Sequence, residues 1–188
     1  MVAGQDPANG ARPAMGSIPN GPARQLDELR DVARAGRTYI EAEHREFEQL
    51  VGRIVETAGL AAQVEARDAA TVLRGVLDAI ETRLVPHTEW EDAFCYPRID
   101  AVAATPWATR ALREQHREIR ALVGRLNEDW AALDRGSGDA RLPELPARLL
   151  ELAALVSSHI RQESFVLPLL DDEAEDRVGA AVGPDAPG

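Results

Sequence analysis

The chain contains four histidines, and they fall as two copies of one pattern. His44 is followed 43 residues on by the pair His87/Glu91, and His116 is followed 43 residues on by the pair His159/Glu163. The offset between the copies is 72 residues at all three points. The surrounding residues repeat as well: HREFEQLVGRI runs from His44 to Ile54 and HREIRALVGRL from His116 to Leu126, with seven of eleven positions identical. A duplicated unit offering one His and one His-x-x-x-Glu per copy can build a two-metal site that neither half could build alone.

The body of the chain is rich in Ala, Leu, Arg and Glu, all good helix formers, and only 4 % of residues are aromatic. The pattern predicts four long helices, at 23–58, 66–98, 107–134 and 143–171. They are separated by AGLAAQ, an Ala-Thr-Pro stretch and DRGSGDARLP. Nothing reads as a strand. The fold class expected is all-α, an up-down-up-down four-helix bundle built from a duplicated two-helix unit.

Bundle helices show the core a seam with alternating steps of four and three residues. Ile40, His44, Phe47, Val51 and Ile54 make that seam in the first helix, and Leu112, His116, Ile119, Val123 and Leu126 in the third. The second gives Leu73, Leu77, Ile80, Leu84, His87, Glu91 and Phe94; the fourth gives Leu145, Leu149, Leu152, Val156, His159, Glu163 and Val166. All four histidines and both paired glutamates occupy inward slots. The legs of chain from each histidine to the adjacent turn match to within about two helical turns, so the four can share one layer.

A single histidine on an apolar seam is more often a hydrogen-bonded core residue than a ligand. Six such groups in one layer differ, because each unpaired buried carboxylate costs several kcal/mol. Cations would neutralise both carboxylates and use the imidazoles as neutral ligands. The i, i+4 spacing places His and Glu on one helical face, so the imidazole can bind one metal while the carboxylate bridges to a second. Four imidazoles and two bridging carboxylates supply about eight donor bonds, short of the ten to twelve that two five- or six-coordinate ions take. The shortfall leaves room for a bridging oxo or hydroxo group and a small exogenous ligand. This donor set suits two iron ions; manganese would prefer more oxygen, and zinc is an alternative.

At 188 residues the chain suits one domain, at 23–171, after its ends are set aside. Residues 1–22 and 172–188 are rich in Gly, Pro and Ala and read as disordered segments. Met15 is a candidate alternative start. No signal peptide or membrane span is legible. A net charge of −11 argues against a nucleic-acid partner. The lone cysteine, Cys95, fits a reducing cytoplasm.

Several neighbours invite secondary roles. Glu48, one turn after His44, could act as an auxiliary ligand, but its repeat counterpart Arg120 favours an ion pair flanking the site. Cys95 corresponds to Leu167 and reads as a small core residue. Tyr39 and Tyr96 could donate hydrogen bonds behind the site or serve as electron sources, but both lie off the seam, and Trp90, Trp107 and Trp130 read as packing residues. Glu46 and Glu118 point to solvent. Pro86, just before His87, removes a backbone hydrogen bond and is expected to kink its helix.

With these residues in order, H…HxxxE…H…HxxxE, the chain resembles the hemerythrin-like, or HHE cation-binding, domain family over about residues 25–170. The resemblance implies a four-helix bundle around a non-heme di-iron centre with two bridging carboxylates. Oxygen-carrying hemerythrins have a fifth histidine one turn after the third-helix ligand, which falls here on Arg120, and an aspartate where this chain has Glu163. The ligand pattern is nearer that of actinobacterial hemerythrin-like proteins, which implies reactivity toward peroxide, O2 or nitric oxide rather than oxygen transport. Two other readings stand beside this one: a module sensing oxygen, nitric oxide or iron without turnover, and a structural zinc bundle.

Overall fold

The computed structural model describes residues 22–136 and 143–170, and the segments expected to be disordered, 1–22 and 172–188, lie almost wholly outside them. Among the described residues there is no strand. Four helical arms form a ring in which α1 (Pro22–Ala61) packs against α2 (Ala66–Ala79) and α6 (Leu145–Glu163), and α5 (Arg110–Asp134) packs against the same two. The second arm continues from α2 through α3 (Val85–Trp90) and α4 (Tyr96–Val102), joined by π turns at Ile80–Leu84 and Glu91–Cys95. The expected helical bundle is therefore present.

The inward seams carry two apolar clusters. Phe47, Leu50, Leu73, Leu77, Leu126 and Leu149 anchor the larger cluster. Ile40, Cys95, Tyr96, Ile99, Leu112 and Leu167 form the smaller one. The layer of histidines and glutamates falls between their positions on each arm, so burying those polar groups is coupled to packing on both sides. Each fully buried leucine or isoleucine contributes about 1.5–3 kcal/mol of transfer free energy.

The π turns alter the expected seam. The Val85 N–H bonds the Ile80 carbonyl, and the Tyr96 N–H bonds the Glu91 carbonyl, so each turn holds one residue more than an α turn. A proline follows each of them directly, Pro86 in α3 and Pro97 in α4. A proline has no N–H to give and its ring crowds the carbonyl four residues back; a widened turn relieves that crowding. The disruption expected at Pro86 thus takes the form of a π turn. Beyond Glu91 the register shifts, turning Phe94, placed on the seam by its spacing, outward to 60 % exposure. Cys95, Tyr96 and Ile99 take the interior instead.

The remaining departures are at helix ends. The third arm begins at Arg110 rather than 107, because Asp100 accepts from both the Thr109 N–H (3.1 Å) and its hydroxyl (2.9 Å), closing the turn before it. Trp107 is left 64 % exposed and Trp90 40 % exposed, so neither is the packing residue expected; Trp130 does pack on the larger core cluster. The last α-helix ends at Glu163 rather than 171. Short i→i+3 turns, from Phe165 to Gln162 and from Val166 to Glu163, carry the chain on to Leu170. Pro168, which cannot donate to a helical ladder, lies within that stretch.

Candidate metal centre

All six residues singled out by the repeat converge in one buried layer. His116, Glu91 and Glu163 are 0 % exposed, His159 2 %, His87 5 % and His44 6 %. His44 Nε2 lies 3.0 Å from Glu163 Oε2, His87 Nε2 lies 2.9 Å from Glu91 Oε1, and His116 Nε2 lies 3.3 Å from Glu91 Oε2. His159 Nε2 lies 3.5 Å from Glu163 Oε2 and 3.1 Å from His116 Nε2. The donor atoms fall into two groups, His44/His87/Glu91/Glu163 and Glu91/His116/His159, each within 4.8 Å. Glu91 belongs to both.

Three of the rings are held from outside. Glu43 Oε2 accepts from His87 Nδ1 (2.8 Å), Asp92 Oδ1 from His116 Nδ1 (3.0 Å) and Gln115 Oε1 from His159 Nδ1 (3.3 Å). With Nδ1 carrying the proton, each Nε2 presents a lone pair to the interior. Glu43 and Gln115 are themselves repeat counterparts, each immediately preceding a cluster histidine. The duplication thus extends to the groups behind the cluster histidines, a signal present in the sequence that the spacing of the histidines alone does not bring out. Tyr39 adds a further link, its hydroxyl donating to Glu43 Oε1 at 2.9 Å.

Spacing alone places Tyr96 off the seam, yet it is fully buried. Its ring stacks on His116 at 5.2 Å between centroids, with its hydroxyl 3.3 Å from His116 Nε2. The π turn at Glu91–Cys95 carries it there. Burial and the nearby Glu91 and Glu163 carboxylates push the Tyr96 phenol far up, so it stays protonated and donates. The same influences raise the Cys95 thiol, consistent with an inert core residue.

Glu48 does not join the cluster. It is exposed, and the expected ion pair with Arg120 is absent. Arg120 instead donates to Asp92 Oδ2 (3.0 Å) and Thr88 Oγ1 (3.1 Å), clamping the carboxylate that orients His116. Glu46 and Glu118 are exposed as expected, Glu46 pairing with Arg83.

Without a cation this layer is electrostatically unfavourable. Burial opposes charge on His44, but Glu163 and Glu91 outweigh it and raise its pKa to about 9. Burial likewise opposes charge on His87, yet Glu91 and Glu43 raise it. Burial would raise Glu91, but His116, His44 and His87 hold it well below the usual carboxylate range. Even so, His44 Nε2, His87 Nε2 and all four oxygens of Glu91 and Glu163 make no hydrogen bond of acceptable geometry. These atoms nevertheless lie within 4.8 Å of their neighbours in each group. His116 Nε2 and His159 Nε2 lie 3.1 Å apart; with both Nδ1 atoms protonated toward Asp92 and Gln115, their lone pairs face each other, an arrangement a bound cation would relieve. The donor set therefore fits bound metal, with the two buried glutamates neutralising it.

Among the described residues no helix is long and apolar enough to cross a membrane. No curated protein and no solved structure matches the chain. The family model for the hemerythrin HHE cation binding domain matches residues 35–168, a span containing all six cluster residues and the groups that hold them. With that match over most of its length, the chain belongs to the hemerythrin HHE cation-binding domain family.

Proposed function

We propose that the protein is a cytoplasmic non-heme di-iron protein, with His44, His87, Glu91, His116, His159 and Glu163 as ligands, that reacts with peroxide, O2 or nitric oxide. The observation carrying this reading is the division of the six groups into two sets that share Glu91. A carboxylate common to two sets of imidazoles is the arrangement that pairs two cations, and mixed nitrogen and oxygen donors suit iron. When bound, the iron pair supplies the redox chemistry. The chain's residues fix geometry around it: Glu43, Asp92 and Gln115 aim the imidazoles, while Tyr96 and the two apolar clusters exclude water.

Arg120 bears on the choice between carriage and reactivity. It stands where oxygen carriers place a fifth histidine and is engaged with Asp92, so it adds no ligand. Fewer protein donors leave more positions for exogenous molecules, which favours reaction. The acidic balance of the chain, −11, speaks against nucleic acid as a partner.

The test is iron reconstitution under anaerobic conditions, followed by metal quantitation and optical spectra before and after peroxide, O2 and nitric oxide. Two irons per chain, with catalytic consumption of one oxidant, is the expected result. Stoichiometric binding with altered protease sensitivity and no turnover would replace the enzyme reading with a sensing role. Zinc as the sole metal retained, without charge-transfer absorption in air, would overturn the redox assignment.

A further inference from the structure

The two halves of the molecule treat their first histidines differently. His116 is enclosed by Asp92 at its Nδ1, Tyr96 stacked on its face, Arg120 bridging Asp92 to Thr88, and Arg113 over the Tyr96 ring at 5.3 Å. Offset by 72 residues, the counterparts of Thr88, Asp92, Tyr96, Arg113 and Arg120 are Ile160, Ser164, Pro168, Glu41 and Glu48. All five counterparts line one cleft of about 200 Å³ beside His44. The space that a plug of side chains fills around His116 is therefore an open cleft beside His44.

His44 is correspondingly unsecured. Among the described residues no side chain holds its Nδ1, and Ser164 turns away to donate to the Arg161 carbonyl at 2.7 Å. At 6 % exposure it is the least enclosed of the four rings, and its Nε2 has no hydrogen-bond partner. The plug's two arginines are replaced by two glutamates. Glu48 is exposed, and Glu41 pairs with Arg37 at 3.6 Å; Arg45 also lies on the wall. A second cleft, of about 320 Å³, reaches His87, but Glu43 lies in it and occupies the His87 Nδ1.

We propose that the cleft bordered by Glu48, Ser164 and Pro168 is the entrance through which a divalent cation reaches the cluster, with His44 as the ligand that yields to admit it. This rests on the six residues being a metal site, and it deepens that reading by naming a route. An imidazole with no outer partner turns at little cost, the cleft gives its ring room, and a carboxylate at the mouth raises the local cation concentration. The rings of the second repeat stay fixed.

Cobalt(II) or zinc(II) uptake by the metal-free full-length protein, and release to a chelator, tests the route without reference to oxidants. Glu48→Arg combined with Ser164→Asp copies at His44 the Arg120–Asp92 clamp of His116 and is expected to slow both processes by about tenfold, the scale on which outer partners act. Ser164→Trp, on an exposed position, fills the cleft and is expected to slow both at unchanged final stoichiometry. Thr82→Trp, in the cleft beside His87, is expected to leave the rates alone. Unchanged rates in both Ser164 variants, or equal slowing by Thr82→Trp, would overturn the proposal. Failure of the wild-type protein to take up either metal would instead sink the metal site itself.

Discussion

The arm carrying His87 and Glu91 and the arm carrying His159 and Glu163 deliver the same His/Glu pair on different backbones. In α6 the pair closes a regular helix, which ends at Glu163. In the second arm the pair spans α3 and the start of a π turn, with a proline just before His87 and another just after Tyr96. Spacing of i and i+4 suffices to aim both pairs inward. The turn after each pair sets the direction of the residues beyond it. Glu91 leads to an inward Tyr96 against His116, whereas Glu163 leads to exposed Ser164 and Pro168 beside His44.

The strongest way to break the symmetry of the two pairs is to remove one carboxylate at a time. Both carboxylates approach histidines of both groups, Glu163 Oε2 lying 3.0 Å from His44 Nε2 and 3.5 Å from His159 Nε2, but only Glu91 lies within 4.8 Å of every donor of each group, so Glu91→Ala is expected to lower metal loading more than Glu163→Ala. Elemental analysis decides, and equal retention by both variants would refute the shared role of Glu91. His116→Ala should also lower metal content in the same assay.

The π register is tested next, by stability. Tyr96→Ala removes a fully buried ring and should cost about 3–5 kcal/mol, whereas Phe94→Ala should change stability by less than about 0.5 kcal/mol. Denaturant midpoints compare them; a larger loss at Phe94 would restore the uninterrupted α seam.

A pH titration of the metal-free protein comes next in size. His44 is raised from 6.5 to about 9 on folding, so protonation stabilises the fold fully below pH 6.5. That contribution, of about 3 kcal/mol at most, is lost as pH climbs to about 9. The unfolding midpoint should therefore fall across that window, and His44→Gln should flatten the fall. Metal competes with this proton, so affinity should rise over the same range. Glu91 acts oppositely: its lowered pKa contributes stability above the ordinary carboxylate range, lost as pH falls through its folded value. The smallest effect expected is from Pro86→Ser, which copies the second repeat's Ser158. It should leave metal content intact and change the rates of exogenous-ligand binding, read by stopped-flow absorption; unchanged rates would remove Pro86 from any role in the centre's asymmetry.

Much of the site is legible in the sequence because its signal is periodic. A polar residue in an apolar seam stands out by contrast, and six of them repeated at one offset leave few alternatives. Tyr96 escapes that reading because its inward position depends on one extra residue in a turn, which shifts the phase of everything after Glu91. The pairing expected between Glu48 and Arg120 fails because counterparts in a duplication are not thereby neighbours. Related by the same operation, they lie in equivalent places of opposite halves, each facing its own surroundings.

The sequence by itself determined the helical bundle, the six inward histidines and glutamates and their common layer, because helical periodicity converts spacing directly into direction. Only the tertiary structure decided which groups stand behind those residues and which first histidine is enclosed. Those contacts join residues on different arms, and their identity depends on the phase set by the π turns and on where each helix stops.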